Sequence, residues 1–252
     1  MSRSIKILMN RYKKFMNEAE YYKKQGLFLK LYDEDKLNKL YALIIGTDDT
    51  PYDHGLFLFE ITCDETFPYE PPNVQYLTTD GNIRMTPNYY QCGKVCLSII
   101  NTWGEKGWSA QYKFDSILIQ FQSQLQKYSL RCEPSHERDA PTSQHLIEYE
   151  NYVTYHSINY AFCHMVELCL SEKEERHPIA SHFKDEVLEH ARDNIDDVIK
   201  NYYTWIESQK TRIHEGLISG SIMYGGGAYK YNLTNLETRL LMLKERIQIK
   251  PS

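Results

Sequence analysis

The stretch TPNYYQCGKVCLSIINTW at positions 86–103 decides how this chain is read. It has no clean helical or strand period, and it lies in a longer irregular segment, residues 80–108, dense in Gly, Asn, Cys and Trp. An irregular segment of that length inside a compact domain is usually functional. Cys96 is its soft nucleophile, preceded by Gly93 and Lys94. A thiolate carries an acyl group as a thioester and can pass it to an amine. Asn88 lies eight residues upstream. If the chain folds back, its side-chain NH2 can donate to a developing oxyanion. No nearby His or Asp offers a triad partner, which counts against a papain-like hydrolase. The residues alone leave two readings open: a thiol loaded by another enzyme, or a buried apolar cysteine.

Working outward, residues 27–79 read as an antiparallel meander. The runs LFLKLY, LYALIIG, GLFLFEIT and NVQYLT are short, aromatic and β-branched, and turn signals separate them at 33–35, 48–51 and 68–72. Residues 4–24 have helical spacing through Ile5, Leu8, Met9, Tyr12, Phe15, Met16 and Ala19. Arg3, Lys6, Arg11, Lys13 and Lys14 fall on its other face, either as a solvated surface or as a docking face for an acidic partner. Residues 112–130 return to helical spacing, and 131–143 form a polar loop with two prolines. From 144 onward the chain reads as helices over 145–171, 180–210 and 234–248, with His177-Pro178 as a break. A flexible connection carries Gly216, Gly220 and Gly225 to Gly227. No strand is expected there. The order helix, meander, irregular segment, helix, extra helices is an α+β pattern.

Bulk properties narrow the class. The 252 residues fall between one and two domains and suffice for a sizeable core. A net charge of −5 argues against general nucleic-acid binding. No run of 18 apolar residues occurs, so no transmembrane helix and no membrane partner are expected. The N-terminus lacks a secretory apolar run, which points to an intracellular protein, cytoplasmic and/or nuclear. The six cysteines are too few for a disulfide framework. Cys92, Cys96, Cys132, His136 and His145 lack paired ligand spacing, so no metal and no cofactor are expected. The 21 Tyr outnumber the 9 Phe and 3 Trp together.

Four segments in order resemble the ubiquitin-conjugating (E2) family. Gly46 to Phe59 is similar to the family's Gly-Pro-x-x-Thr-Pro-Tyr-x-Gly-Gly-x-Phe run, and Phe67-Pro68-Tyr69-Glu70-Pro71-Pro72 to its Pro-x-x-Pro-Pro segment. Thr86-Pro87-Asn88 stands where the family has His-Pro-Asn, followed by Gly93-Lys94-Val95-Cys96-Leu97, and Trp103 and Trp108-Ser109 fit the loop beyond. The departure is Thr86 for the family's His; a Thr hydroxyl can hold such a turn through local hydrogen bonds. Softer likenesses after residue 130 (Cys132-Glu133-Pro134, His156-Ser157-Ile158, Phe183-Lys184-Asp185 and Leu236 to Leu240) point to the Z-type branch, whose members carry helical tails.

The resemblance implies a UBC fold over 1–143, with 144–252 as a helical extension packed on it. It implies that Cys96 accepts ubiquitin or a ubiquitin-like modifier from an E1 activating enzyme and passes it to a substrate lysine or an E3 ligase. Asn88 is then the oxyanion donor, and Glu133 a carboxylate beside the thioester. The basic face of Arg3, Lys6, Arg11, Lys13 and Lys14 becomes the E1-docking face, and Tyr69, Trp108, Ser109 and Ala110 the E3-facing loops. The partners implied are an E1, the modifier, an E3 and protein substrates.

Overall fold

The structure, a computed structural model, describes residues 2–171, 176–222 and 227–248. Helix α1 (Arg3–Asn17) starts where the Ser2 hydroxyl accepts from the Ile5 N–H at 3.2 Å. It buries Leu8 and Phe15. The single helix expected over 4–24 is broken at Glu18, whose N–H turns back to Phe15 O. A short helix α2 (Ala19–Lys24) follows. The break lets Tyr22 lie flat on Phe15, ring centroids 4.3 Å apart, and both rings are buried.

The meander forms as expected. Strands β1 (Leu27–Leu31), β2 (Lys39–Ile45), β3 (Leu56–Thr62) and β4 (Asn73–Tyr76) make one four-stranded antiparallel sheet in sequence order. β2 and β3 are buried on both faces, because helices cover the sheet on either side of their near-continuous apolar runs. Helix α3 (Phe114–Gln122) packs Phe121 against Phe59 at 4.9 Å. It is shorter than the expected 112–130. After Phe121 the backbone tightens to i→i−3 bonds, Gln124 N–H to Phe121 O and Leu125 N–H to Gln122 O, and Tyr128 takes a φ of 57°.

The tail begins with α4 (Gln144–His156), runs through a π-helical stretch (Ser157–His164) and ends its first leg in α5 (Met165–Leu170). Helix α6 (Pro178–Gln209) starts at Pro178 with His177 as its cap, so the expected break stands. Phe183, non-helical inside α6, is fully buried. Lys30 Nζ of β1 reaches the His182 carbonyl at 2.7 Å and Glu186 Oε1 at 2.5 Å, and Asn201 Nδ2 donates to Asp53 Oδ2 at 2.9 Å. The buried residues form one cluster running from Leu8 to Ile247. Among the described residues no helix is long and apolar enough to cross a membrane.

The glycine-bearing connection is a correction. Instead of a flexible link it is a three-stranded antiparallel sheet of β5 (Ile213–His214), β6 (Leu217–Ile222) and β7 (Gly227–Asn232), followed by helix α7 (Leu233–Gln248). Glu215 and Gly216 both have positive φ, 52° and 72°, which is the geometry of a two-residue hairpin turn. Gly220 stands where a Cβ would collide with the Glu148 carboxylate and the Tyr229 ring. Tyr229 stacks on Tyr231 at 4.6 Å and Tyr231 on Tyr155 of α4 at 3.8 Å, so the sheet seals onto the first tail helix. Gly225 and Gly226 lie outside the described residues.

Candidate active site around Cys96

The 86–103 stretch folds back on itself, as the spacing of Asn88 and Cys96 requires. The turn at Thr86–Tyr89 brings Asn88 beside Cys96 through two reciprocal bonds. Cys96 N–H donates to Asn88 O at 2.9 Å, and Asn88 Nδ2 donates to Cys96 O at 2.8 Å. Thr86 holds the turn. Its buried hydroxyl accepts from the N–H groups of Asn88 and Tyr89 at 3.1 and 3.0 Å. A hydroxyl at this position thus does the local bonding expected of it. Gly93 (φ 85°) is required because a Cβ there would sit 2.9 Å from Tyr76 O. That close approach lets Tyr76 N–H donate to Gly93 O at 2.8 Å, which ties the loop to β4.

The Cys96 side chain is 4% exposed, and its thiol donates to Thr102 O at 3.2 Å. Thr102 closes the loop in turn, its hydroxyl accepting from Leu97 N–H at 2.9 Å. Among the described residues, no His or carboxylate is hydrogen-bonded to the Cys96 sulfur. An amide NH2 has two donor hydrogens. Asn88 spends one on Cys96 O, which leaves the other for a developing oxyanion.

Glu133 lies close to this turn, and it is paired. Arg84 Nη2 donates to Glu133 Oε1 at 2.9 Å and to Pro87 O at 2.5 Å, while its guanidinium covers the Tyr90 ring at 4.1 Å. Sequence reasoning missed Arg84 and Tyr90, because neither stands in a motif position. Burial pushes the Tyr90 phenol up, Arg84 opposes that shift, and Cys96 and Glu133 are its electrostatic neighbours. Arg84 is fixed in turn by the tail, since its backbone N–H donates to the Tyr152 hydroxyl at 3.0 Å and its carbonyl accepts from the Tyr149 hydroxyl at 3.3 Å. Exposed Cys92 takes no part in these bonds.

The remaining sequence candidates divide into two groups. Arg3, Lys6, Lys13 and Lys14 are exposed on α1. Arg11 points elsewhere. Its guanidinium donates to Ala110 O at 2.5 Å and Tyr112 O at 2.7 Å and lies over the Phe67 ring at 5.1 Å. It is a staple between α1 and the 108–112 loop rather than part of a solvated row. Trp108 is fixed by its Nε1–H to Pro68 O at 2.9 Å, while Tyr69 stands 65% exposed. Arg11, Tyr69, Trp108, Ser109 and Ala110 therefore belong to one surface.

Asn88 and Cys96 are thus clipped together, side-chain amide to backbone carbonyl, by a loop that is tied to β4 of the antiparallel meander. The family model for ubiquitin-conjugating enzymes matches residues 11–157. The chain is 38% identical to human ubiquitin-conjugating enzyme E2 Z over 146 residues, covering 56% of this chain and 40% of that protein. It is 31% identical over 185 residues to probable ubiquitin-conjugating enzyme protein 17 of Caenorhabditis elegans, covering 70% of this chain and 24% of that one. A solved structure of human ubiquitin-conjugating enzyme E2 G1 aligns at a TM-score of 0.43 and 28% identity, over 49% of this chain and 94% of that one. The chain belongs to the ubiquitin-conjugating enzyme family and has its UBC fold. It spans less than half the length of the curated relatives it matches.

Proposed function

We propose that this protein is an E2 enzyme that carries ubiquitin or a ubiquitin-like modifier as a thioester on Cys96. The observation that carries the reading is the reciprocal pair of bonds between Cys96 and Asn88, which sets an amide donor next to the thiol-bearing residue. In the first step the Cys96 thiolate attacks the E1-bound thioester carbonyl, and the E1 thiolate leaves. In the second a lysine amine attacks the Cys96 thioester, the Cys96 thiolate leaves, an amide forms and the amine sheds a proton. An E3 cysteine takes the place of the amine where a second transthioesterification follows. Asn88 donates its second N–H to the oxyanion. Glu133 Oε1 is held by Arg84, which leaves Oε2 to meet the incoming amine. The thiolate leaving from E1 makes a dedicated base beside Cys96 unnecessary.

Exposed Arg3, Lys6, Lys13 and Lys14 suit an acidic E1 surface, and the surface of Tyr69 and Trp108 suits an E3. Residues 1–143 serve as the catalytic core and 144–252 as an extension of it, in an intracellular protein, cytoplasmic and/or nuclear. Charging with ATP, modifier and a panel of E1 enzymes, read on a non-reducing gel, tests this. A thiol-sensitive adduct is expected on the wild type and none on Cys96→Ala. An intact thiol-sensitive adduct on Cys96→Ala removes the assignment.

A further inference from the structure

We propose that His136, Asp139 and His145 form a binding site for one divalent transition-metal cation of the Zn2+ class. Paired Cys spacing is absent from the sequence, and this set uses no cysteine. The fold makes it by bringing the polar loop after Glu133 up against the first turn of α4. One potential ligand atom from each of the three residues lies within 4.8 Å of the others. One edge is tighter still, with His136 Nδ1 2.7 Å from Asp139 Oδ2. The His136 and His145 rings meet edge to face with centroids 5.3 Å apart. In a tetrahedral zinc site, ligands about 2.1 Å from the metal lie about 3.4 Å from one another. The cluster is thus near closure, and the exposed His145 side chain is the part that must swing inward.

The surroundings fix the other two ligands. His136 is 5% exposed, and its N–H donates to Glu133 O at 3.1 Å. Arg131 bonds the Asp139 carbonyl through Nε and Nη2 at 3.1 and 2.6 Å, so its charge is spent on the backbone and not on the carboxylate. Ser143 Oγ donates to Asp139 Oδ2 at 3.3 Å, the kind of outer contact that orients a ligating carboxylate. Two imidazoles select borderline ions over Mg2+ or Ca2+, which prefer an all-oxygen shell. Three protein ligands and a partly open face leave the fourth position to water. Bonds to the metal take the place of the contact between His136 Nδ1 and Asp139 Oδ2.

The test uses the full wild-type chain titrated with Zn2+ against a chromophoric chelator, and with Co2+ followed by absorption. One equivalent is expected, with a tetrahedral cobalt spectrum free of a thiolate charge-transfer band. His145→Ala alters an exposed side chain and should fold normally; it should weaken zinc binding by at least about 10-fold. Asp139→Asn should do the same. Equal zinc binding by wild type and His145→Ala overturns the site, as does a thiolate band on the first equivalent, which would place the metal on cysteine. Because the readout is metal binding and not charging, its failure is distinguishable from failure of the E2 reading.

Discussion

The Arg84 guanidinium holds the Glu133 carboxylate at 2.9 Å while the same nitrogen bonds the carbonyl of Pro87, the residue before Asn88. One cation therefore joins the turn that presents Asn88 to the loop that carries Glu133. Both partners are largely buried, so removing one strands the other, a loss of roughly 3 kcal/mol. Arg84→Ala should lower stability by about that amount in urea unfolding, and should slow discharge to lysine more than it slows charging. Glu133→Gln keeps an acceptor for Arg84 and should leave the unfolding midpoint closer to wild type. Equal rates of discharge in wild type and Arg84→Ala would remove Arg84 as a positioning residue.

Asn88→Ala should load normally yet discharge to free lysine slower by about 10²–10³, the usual effect of losing one oxyanion donor. It also loses the bond to Cys96 O, a neutral interaction contributing about 1 kcal/mol. A small change in melting temperature with a large loss in single-turnover discharge assigns the chemical role. A large change in melting with normal discharge leaves Asn88 only as the clip on the turn.

Glu148 of α4 tests the small sheet of the tail. It accepts from Gln144 Nε2 at 2.6 Å, Arg212 Nη2 at 2.6 Å and the Tyr229 hydroxyl at 2.6 Å, and it is 8% exposed. Glu148→Ala leaves the Tyr229 hydroxyl without its acceptor and Arg212 with Gln209 alone, and the cost should be about 1–3 kcal/mol. Hydrogen exchange should show the loss as faster opening of β6 and β7, while β2 and β3 keep their protection. Unchanged exchange across 217–222 would mean that the sheet does not depend on this carboxylate.

Acid should weaken the packing of the tail, on the core at His190 and within the tail itself at His156. Burial pushes His190 down to about 4, aided by the neighbouring His54, and burial likewise pushes His156 down to about 4. His190 meets the His54 carbonyl at 3.3 Å, and His156 meets the Tyr231 hydroxyl at 3.1 Å. The unfolded chain takes up protons near 6.5, before the folded chain does, so the stability held by neutral histidines is complete above 6.5. It is lost as pH falls from 6.5 towards 4, on the order of 2 kcal/mol for each half-buried ring. Urea midpoints measured across that window should drop on acidification, and His190→Gln should flatten the slope. A slope unchanged in that variant would exclude His190.

The legible parts of this molecule were those written in local pattern. β2 and β3 are near-continuous apolar runs bounded by turn residues, so their place in a buried meander follows from burial on both faces. Asn88, Gly93 and Cys96 were legible through type and spacing, since only glycine fits against Tyr76 O and only a fold-back brings the Asn88 amide to Cys96. The β5–β7 sheet was not. Its strands are short and set among turn-forming glycines, and what makes them strands is the stacking of Tyr229 and Tyr231 against Tyr155, which lies more than seventy residues upstream. Glu18 likewise carries no breaker signal; the Phe15–Tyr22 stack ends α1 there.

The sequence by itself marked Cys96 and Asn88 as candidates and laid out the meander beside them, because these rest on residue types a few positions apart and on apolar runs between turn signals. Only the tertiary structure decided what surrounds them. It turned Arg11 inward as a staple to Ala110 and Tyr112, paired Arg84 with Glu133, and pinned Arg84 between the Tyr149 and Tyr152 hydroxyls. It also gathered His136, Asp139 and His145. The reason is physical: a guanidinium or imidazole finds its partner wherever packing leaves an acceptor within hydrogen-bonding reach, and no local spacing records where that will be.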